Sequence, residues 1–239
     1  MSKPIKLHVW GDYACFTRPE LKAERFTYDV LTPSAARGIL EAIYWKPQMQ
    51  WIIDRIHVLN PICFSQIRRN EIKIKMAKPN TSLLNGGSGN IGINIEDKDN
   101  RQQRASTVLS NVSYVIEAHI KLRQVDINPD INSEMKHLEI FTRRASKGQC
   151  FHQPYFGTRE FPVNFTLLQN EKLPESTLPE DQKNRNLGMI LHDIVFIPDL
   201  KGKIISSNNG QKLTAHPHFF MASLCDGILE VPLIQETHC

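Results

Sequence analysis

The stretch Thr32 to Pro47, TPSAARGILEAIYWKP, holds a complete helix with both of its ends. Thr32 is an N-cap residue and Pro33 suits a first turn, where the missing N–H costs nothing. Ala35, Ile39, Ala42 and Ile43 recur at helical spacing, so the sequence predicts an amphipathic helix from about Ser34 to Tyr44. Pro47 ends it, because the residue before a proline is pushed out of the helical region.

Working outward, Ile5 to Trp10 (IKLHVW) alternates as an opening strand should, with a turn at Gly11-Asp12. Arg25 to Val30 reads as a second extended piece. After the helix, Trp51 to Leu59 and Ile62 to Met76 read as strands, with Ile72, Ile74 and Met76 alternating with Glu71, Lys73 and Lys75. Lys78 to Arg104, rich in Asn, Gly, Ser and charge, reads as a long loop. Strand character resumes over Val108 to Leu122, and the cluster INPDIN precedes a second helix from about Ser133 to Lys147, closed by Gly148. Met135, Leu138, Phe141 and Ala145 are its expected apolar stripe, which turns Lys136 and His137 toward the rim or the far side. Phe161 to Leu168 is a further strand. The order strand, helix, strand, then strand, helix, strand predicts an α+β fold: a ferredoxin-like, RRM-like N-terminal domain over residues 1–170. The polar, proline-bearing stretch Glu171 to Arg185 reads as a linker. The remainder, residues 171–239, is expected to form a small antiparallel β domain, with strands Gly188 to Ile197, Phe219 to Leu224 and Ile228 to Val231, and a hairpin turn at Asp226-Gly227.

The chain of 239 residues has 29 Lys and Arg against 25 Asp and Glu, a net charge of +4 that admits an anionic partner without requiring one. Apolar runs are too short for a membrane helix, and no signal-peptide pattern opens the sequence, so no membrane partner is expected and the cytoplasm is the expected compartment. Five singly spaced cysteines fit a reducing compartment better than a disulfide framework. Gly87, Gly89 and Gly92 spell GxGxxG, but no helix pattern follows, and a flexible glycine loop explains them better than a dinucleotide site. His216 and His218 lack a second pair at ligand spacing, so neither a metal nor another cofactor is expected.

Arg68, Arg69, Lys73, Lys75 and Lys78 precede the glycine loop and Arg101 and Arg104 follow it. They read either as one positive mouth or as a solvated strand edge blunted by cations. Tyr44, followed by Trp45-Lys46-Pro47, reads by default as a core or rim residue, and Lys136-His137 is equally ambiguous on its own.

A longer comparison changes that reading. GDYACFTRPELKAERFTYDVLTPSAARGILEAIYWKP, from Gly11 to Pro47, resembles the N-terminal signature of the CRISPR-associated Cas-five proteins of subtype I-C, the Dvulg or "d" branch. The likeness continues through Arg101-Gln102-Gln103-Arg104, Leu109, Val112 and Tyr114, through Met135-Lys136-His137 with Ile140 and Arg143-Arg144, and through Gly157 to Pro162. It returns at Leu187-Gly188-Met189 and Glu230-Val231-Pro232. The resemblance implies a ferredoxin-like domain with a small β domain, acting as a metal-independent endoribonuclease on the repeat hairpin of precursor CRISPR RNA. It also implies that the protein stays on the 5′ handle as a subunit of the type I-C surveillance complex, with duplex DNA a further candidate partner. The positions matching the family's catalytic residues are Tyr44, Lys136 and His137. Arg37, Lys46, Arg68, Arg69, Lys73, Lys75, Arg101, Arg104, Arg143 and Arg144 are the expected RNA contacts. Cleavage by 2′-hydroxyl attack would use His137 for proton transfer and Lys136 for phosphate charge, with Tyr44 orienting or sharing a proton. Its products would be a 2′,3′-cyclic phosphate and a 5′-hydroxyl. The alternative from another class is a structural RNA-end cap in which the same side chains only bind.

Overall fold

The computed structural model describes residues 4–21, 23–76, 78, 81–88, 92–123, 133–169, 172–206 and 210–234. In chain order the elements are β1 (Ile5–Ala14), α1 (Pro33–Ile43), β2 (Met49–Val58), β3 (Cys63–Ile72), α2 (Thr81–Leu84), β4 (Arg101–Leu122), α3 (Glu134–Ala145), β5 (Asn164–Leu167), α4 (Glu180–Lys183), β6 (Arg185–Pro198), β7 (Ile204–Ile205), β8 (Lys212–Cys225) and β9 (Ile228–Glu230). All strand pairs are antiparallel, and the main path of the sheet runs β5-β1-β4-β2-β9-β8-β6. The protein is thus mostly antiparallel sheet with few helices.

The two long helices start as their sequences dictate. The Thr32 hydroxyl accepts from the Ala35 N–H at 3.3 Å, and the Ser133 hydroxyl accepts from the Lys136 N–H at 3.2 Å. After α3, Gly148 takes a φ of +63° while its N–H donates to the Ala145 carbonyl, a conformation that glycine adopts without penalty. α1 buries Ala36, Ile39, Leu40 and Ile43 in the core shared with Leu7 and Val9 of β1, Trp51 and Ile56 of β2, and Ile116 of β4. In-register pairing sets Leu7 opposite Ile116 and Trp51 opposite Ile120, so these residues share the apolar face of the sheet.

The opposite face is polar. Lys6 pairs with Glu117, and His8 bonds the Ser113 hydroxyl at 2.9 Å while stacking on Trp10. Glu117, only 7% exposed, also meets His57 at 2.9 Å. A buried carboxylate between two such partners stays ionised: the Lys6 and His57 hydrogen bonds outweigh burial and hold it below the usual carboxylate range.

Several expected boundaries move. Arg25 to Val30 is not a strand; only isolated bridges occur, Thr17 to Thr27 and Phe26 to Thr107. β4 outruns β1, and this segment covers the overhang, held by Thr27 N–H to the Thr107 carbonyl at 3.1 Å. The strand expected through Met76 stops at Ile72, and β4 begins at Arg101 rather than Val108, so Arg101 and Arg104 lie on a strand. INPDIN, Gly89 and the expected boundary at residues 170/171 lie outside the described residues. The expected linker Glu171 to Arg185 contains α4, and Thr177 N–H donates to the Leu59 carbonyl at 2.7 Å. The Asp226-Gly227 turn forms with both φ angles positive, as its hairpin requires. No helix among the described residues is long and apolar enough to cross a membrane.

Candidate active site and nucleic-acid interface

Tyr44 is the C-cap of α1. Its N–H still donates to the Leu40 carbonyl at 3.0 Å, but its backbone has turned extended, which swings the side chain off the helix toward α3. The Trp51 indole N–H donates to the Tyr44 carbonyl at 3.0 Å, fixing the residue from β2. On α3, His137, Phe141 and Ala145 form the buried line, while Met135 is 61% exposed. The expected stripe was therefore rotated: His137 points inward and Met135 outward. The physical reason is a partner for the imidazole. The Tyr44 hydroxyl and His137 Nδ1 lie 2.8 Å apart, which satisfies both polar groups inside the core.

Burial defines the electrostatics of the pair, because Tyr44 is 2% and His137 3% exposed. Loss of solvent pushes the Tyr44 phenol above its ordinary value, with Arg144 pulling the other way. Loss of solvent lowers His137, and the nearby charges of Lys136 and then Lys46 lower it further. Both groups are thus neutral near neutral pH, and one proton lies between them. The other imidazole nitrogen, Nε2, is buried without a hydrogen-bond partner among the described residues. A buried nitrogen left unpaired destabilises the fold, which makes His137 a candidate functional position.

Arg144 completes the cluster. It lies two turns beyond His137 on the same face of α3, donates to the Ile43 carbonyl at 3.2 Å and places its guanidinium 5.3 Å from the Tyr44 ring centre. A cation at a helix C-terminus is also favoured by the helix dipole, here that of α1. Arg144, expected as an RNA contact, is held against Tyr44 by these interactions. Lys136 and Lys46 are exposed and act on the charge of His137, and Arg143 is exposed two turns along α3 from Lys136.

The other expected contacts are distributed differently. Arg37 is engaged inside the protein: its guanidinium makes two bonds to Asp193 at 2.8 and 2.9 Å and one to Glu41 at 2.7 Å, tying α1 to β6. The β3–β4 hairpin carries Arg68, Arg69, Arg101 and Arg104, but on two faces. Arg69 and Arg104 stand opposite each other and enter an ion-pair network: Arg69 with Glu160, Arg104 with Glu71 at 3.5 Å, and Arg25 with both carboxylates. Arg68 and Arg101 sit on the other face, exposed, with Phe64 and Ile72. Lys73 and Lys75 follow the strand end, also exposed. The single positive mouth is therefore divided into a neutralised face and an open one. Alternation along a strand makes this split readable from sequence, but the partners Glu160 and Asp193 are too distant in the chain to be inferred. Among the described residues no cluster of three or more His, Cys, Asp or Glu could hold a metal ion.

The family described as "CRISPR-associated protein (Cas_Cas5)" matches residues 4–232. A protein of Mannheimia succiniciproducens named "CRISPR pre-crRNA endoribonuclease Cas5d" is 49% identical over 233 residues, 97% of this chain and 96% of that protein. One of the same name from Thermus thermophilus is 42% identical over 234 residues, 95% of this chain and 91% of that protein. A structure titled "Crystal Structure of CRISPR-associated Protein" shares the fold with a TM-score of 0.66 at 22% identity, covering 100% of this chain and 96% of that one. A functionally uncharacterized protein from Streptococcus mutans shares it with a TM-score of 0.65 at 20% identity, with the same coverage. Similarity of this length and level places the chain in the CRISPR-associated Cas5 family, in its subtype I-C branch, Cas5d.

Proposed function

We propose that this chain cuts precursor CRISPR RNA within its repeat by attack of the substrate's own 2′-hydroxyl, with Tyr44, His137 and Lys136 as the catalytic group. The observation that carries the reading is the 2.8 Å Tyr44–His137 hydrogen bond, which joins residues 93 positions apart and leaves Nε2 as the unpartnered nitrogen. Tyr44 sets the tautomer. When the phenol oxygen accepts from Nδ1–H, Nε2 carries a lone pair and serves as general base; when the phenol donates, Nε2 carries the proton and serves as general acid. Lys136, a strongly hydrated point charge, stabilises the phosphorane oxygens. Because Nε2 is buried, access requires local opening at the N-terminal turns of α3 as RNA docks, a motion drawn from the low-stability end of the molecule. The names of the Mannheimia and Thermus relatives support the substrate and the activity.

The platform is a ferredoxin-like unit, a reading supported by the antiparallel order β5-β1-β4-β2 with α1 and α3 between its strands, and its proposed boundary is near residue 170. The protein stays on the 5′ handle of the product as a subunit of the type I-C surveillance complex, and the exposed Lys46, Arg68, Lys73, Lys75, Arg101 and Arg143 contact the RNA backbone.

The test is direct. Recombinant protein with cognate repeat RNA in excess chelator should give a 2′,3′-cyclic phosphate and a 5′-hydroxyl, and a 2′-deoxy substitution just upstream of the scissile bond should block cutting. Cleavage of the deoxy substrate would refute the chemistry. The near-complete burial of Tyr44 and His137 favours one rival, a structural RNA-end cap in which the pair only braces α1 against α3. That reading predicts binding without products.

A further inference from the structure

Away from the Tyr44–His137 pair, the segment after α3 sets three aromatic rings along α1, of which Phe151 and His152 are exposed and Tyr155 is half-buried. Phe151 is 83% exposed, yet its backbone is fixed: its N–H donates to the Ala42 carbonyl at 2.8 Å, and the His152 N–H reaches the same oxygen at 3.3 Å. The anchored backbone holds this exposed ring in one place, where a flat partner can stack on it. From Phe151 the rings continue: His152 lies 6.0 Å from it, and Tyr155 stacks on His152 at 6.4 Å with an interplanar angle of 26°. Tyr155 then lines a cavity of about 300 Å³ with Gly157, Ala35 and Gly38. The row therefore follows α1 from Ala42 back to Ala35, about 10 Å of helix.

Gly38 supplies an independent observation. It occupies the interior of α1, where glycine destabilises a helix relative to alanine, yet a Cβ at this position would meet nothing within 4 Å. No described protein atom needs the space, so the open backbone suits the approach of a ligand. Charge selects the ligand. Lys46 and Lys136 are exposed near His137 at the Tyr44 end of the groove, and at the other end the Arg18 guanidinium, paired with Asp29 at 3.4 Å, lies 4.6 Å from the ring of Tyr28, another residue of the cavity wall. Rings that accept stacking, with open cations beside one end of the row, are the requirements of a single-stranded polynucleotide.

We infer that the groove between α1 and the segment from Phe151 to Gly157 is a single-strand track, in which Phe151, His152 and Tyr155 stack on unpaired nucleotides flanking the repeat hairpin. The inference rests on the proposed repeat-RNA function and specifies how the substrate's single-stranded arm reaches Tyr44. It predicts selectivity by strandedness rather than by base identity, since every base has a stacking face.

The experiment measures affinity of the full chain for the repeat RNA with its single-stranded arms and for the bare hairpin. Phe151→Ala and Phe151→Leu should weaken binding of the armed RNA roughly tenfold and leave the bare hairpin unchanged, whereas Phe151→Trp should retain affinity. Gly38→Ala should raise Tm by a few degrees while weakening the armed RNA, the opposite of a folding defect. Equal losses for armed and bare RNA, or wild-type affinity in both Phe151→Ala and Gly38→Ala, would overturn the track while leaving cleavage by the wild-type chain intact. A wild-type chain that neither binds nor cuts the armed repeat would overturn the endoribonuclease reading and the track together.

Discussion

Removing one oxygen, by Tyr44→Phe, separates the structural and chemical roles of the buried pair. At 2% and 3% exposure no bulk water replaces the lost partner, so His137 Nδ1 joins Nε2 as an unsatisfied buried nitrogen. Stranding a buried polar group costs about 1–3 kcal/mol. With about 2 kcal/mol taken as the centre, a chain of this size should lose roughly 4–8 °C in Tm. His137→Leu strands the phenol in the same way and should cost a similar amount. The double variant removes both polar groups at once, so it should be more stable than the sum of the single losses by about 1 kcal/mol or more. Cleavage should behave differently: each single variant should lose roughly 100-fold or more, and the double variant should recover nothing. Thermal denaturation and single-turnover cleavage of repeat RNA, measured on the four proteins, give both cycles. Additive losses in Tm would refute the hydrogen bond as described, and a wild-type cleavage rate in Tyr44→Phe would show that the pair braces the fold without taking part in the chemistry.

Because burial, Lys136 and Lys46 all lower His137, the acid limb of the pH–rate profile should lie below the ordinary imidazole range; Lys46→Gln should move that limb upward, and an unmoved limb would exclude the coupling. The same depression makes the folded chain bind fewer protons than the unfolded one, so His137, with His8 and His192, contributes stability above the ordinary imidazole value that fades as pH falls below it. A Tm that is flat from neutral to mildly acidic pH would contradict this. Arg37→Ala leaves Asp193 nearly buried and unpaired between α1 and β6, and should cost about 3 kcal/mol with little change in RNA affinity once the protein is folded. The reverse pattern, wild-type Tm with weakened binding, would make Arg37 an RNA contact. Arg68→Ala and Arg101→Ala should each reduce the slope of log affinity against log salt by about 1, whereas Arg69→Ala, which removes an ion pair with Glu160 and a guanidinium 5.3 Å from the Phe161 ring centre, should lower Tm instead. Equal salt slopes in all three variants would contradict the division of the hairpin into two faces.

Local chemistry alone determined the helix starts at Thr32 and Ser133, the stop at Gly148, the Asp226-Gly227 turn and the alternation in β1, because caps, turns and side-chain periodicity depend on neighbours a few residues away. The candidate residues Tyr44, Lys136 and His137 could be named from the resemblance, but nothing near them in the chain says that they meet. Tertiary structure decided that. It rotated α3 so that His137 replaced Met135 on the inner face, because Tyr44 offered the imidazole a hydrogen bond across 93 residues. It also decided which cations remain open: Arg37 found Asp193 156 positions away, Arg69 found Glu160, and Arg144 settled over Tyr44. Charge and periodicity are properties of a segment. Neutralisation and burial depend on what the rest of the chain brings alongside it, and that information exists only once the sheet has closed over its partners.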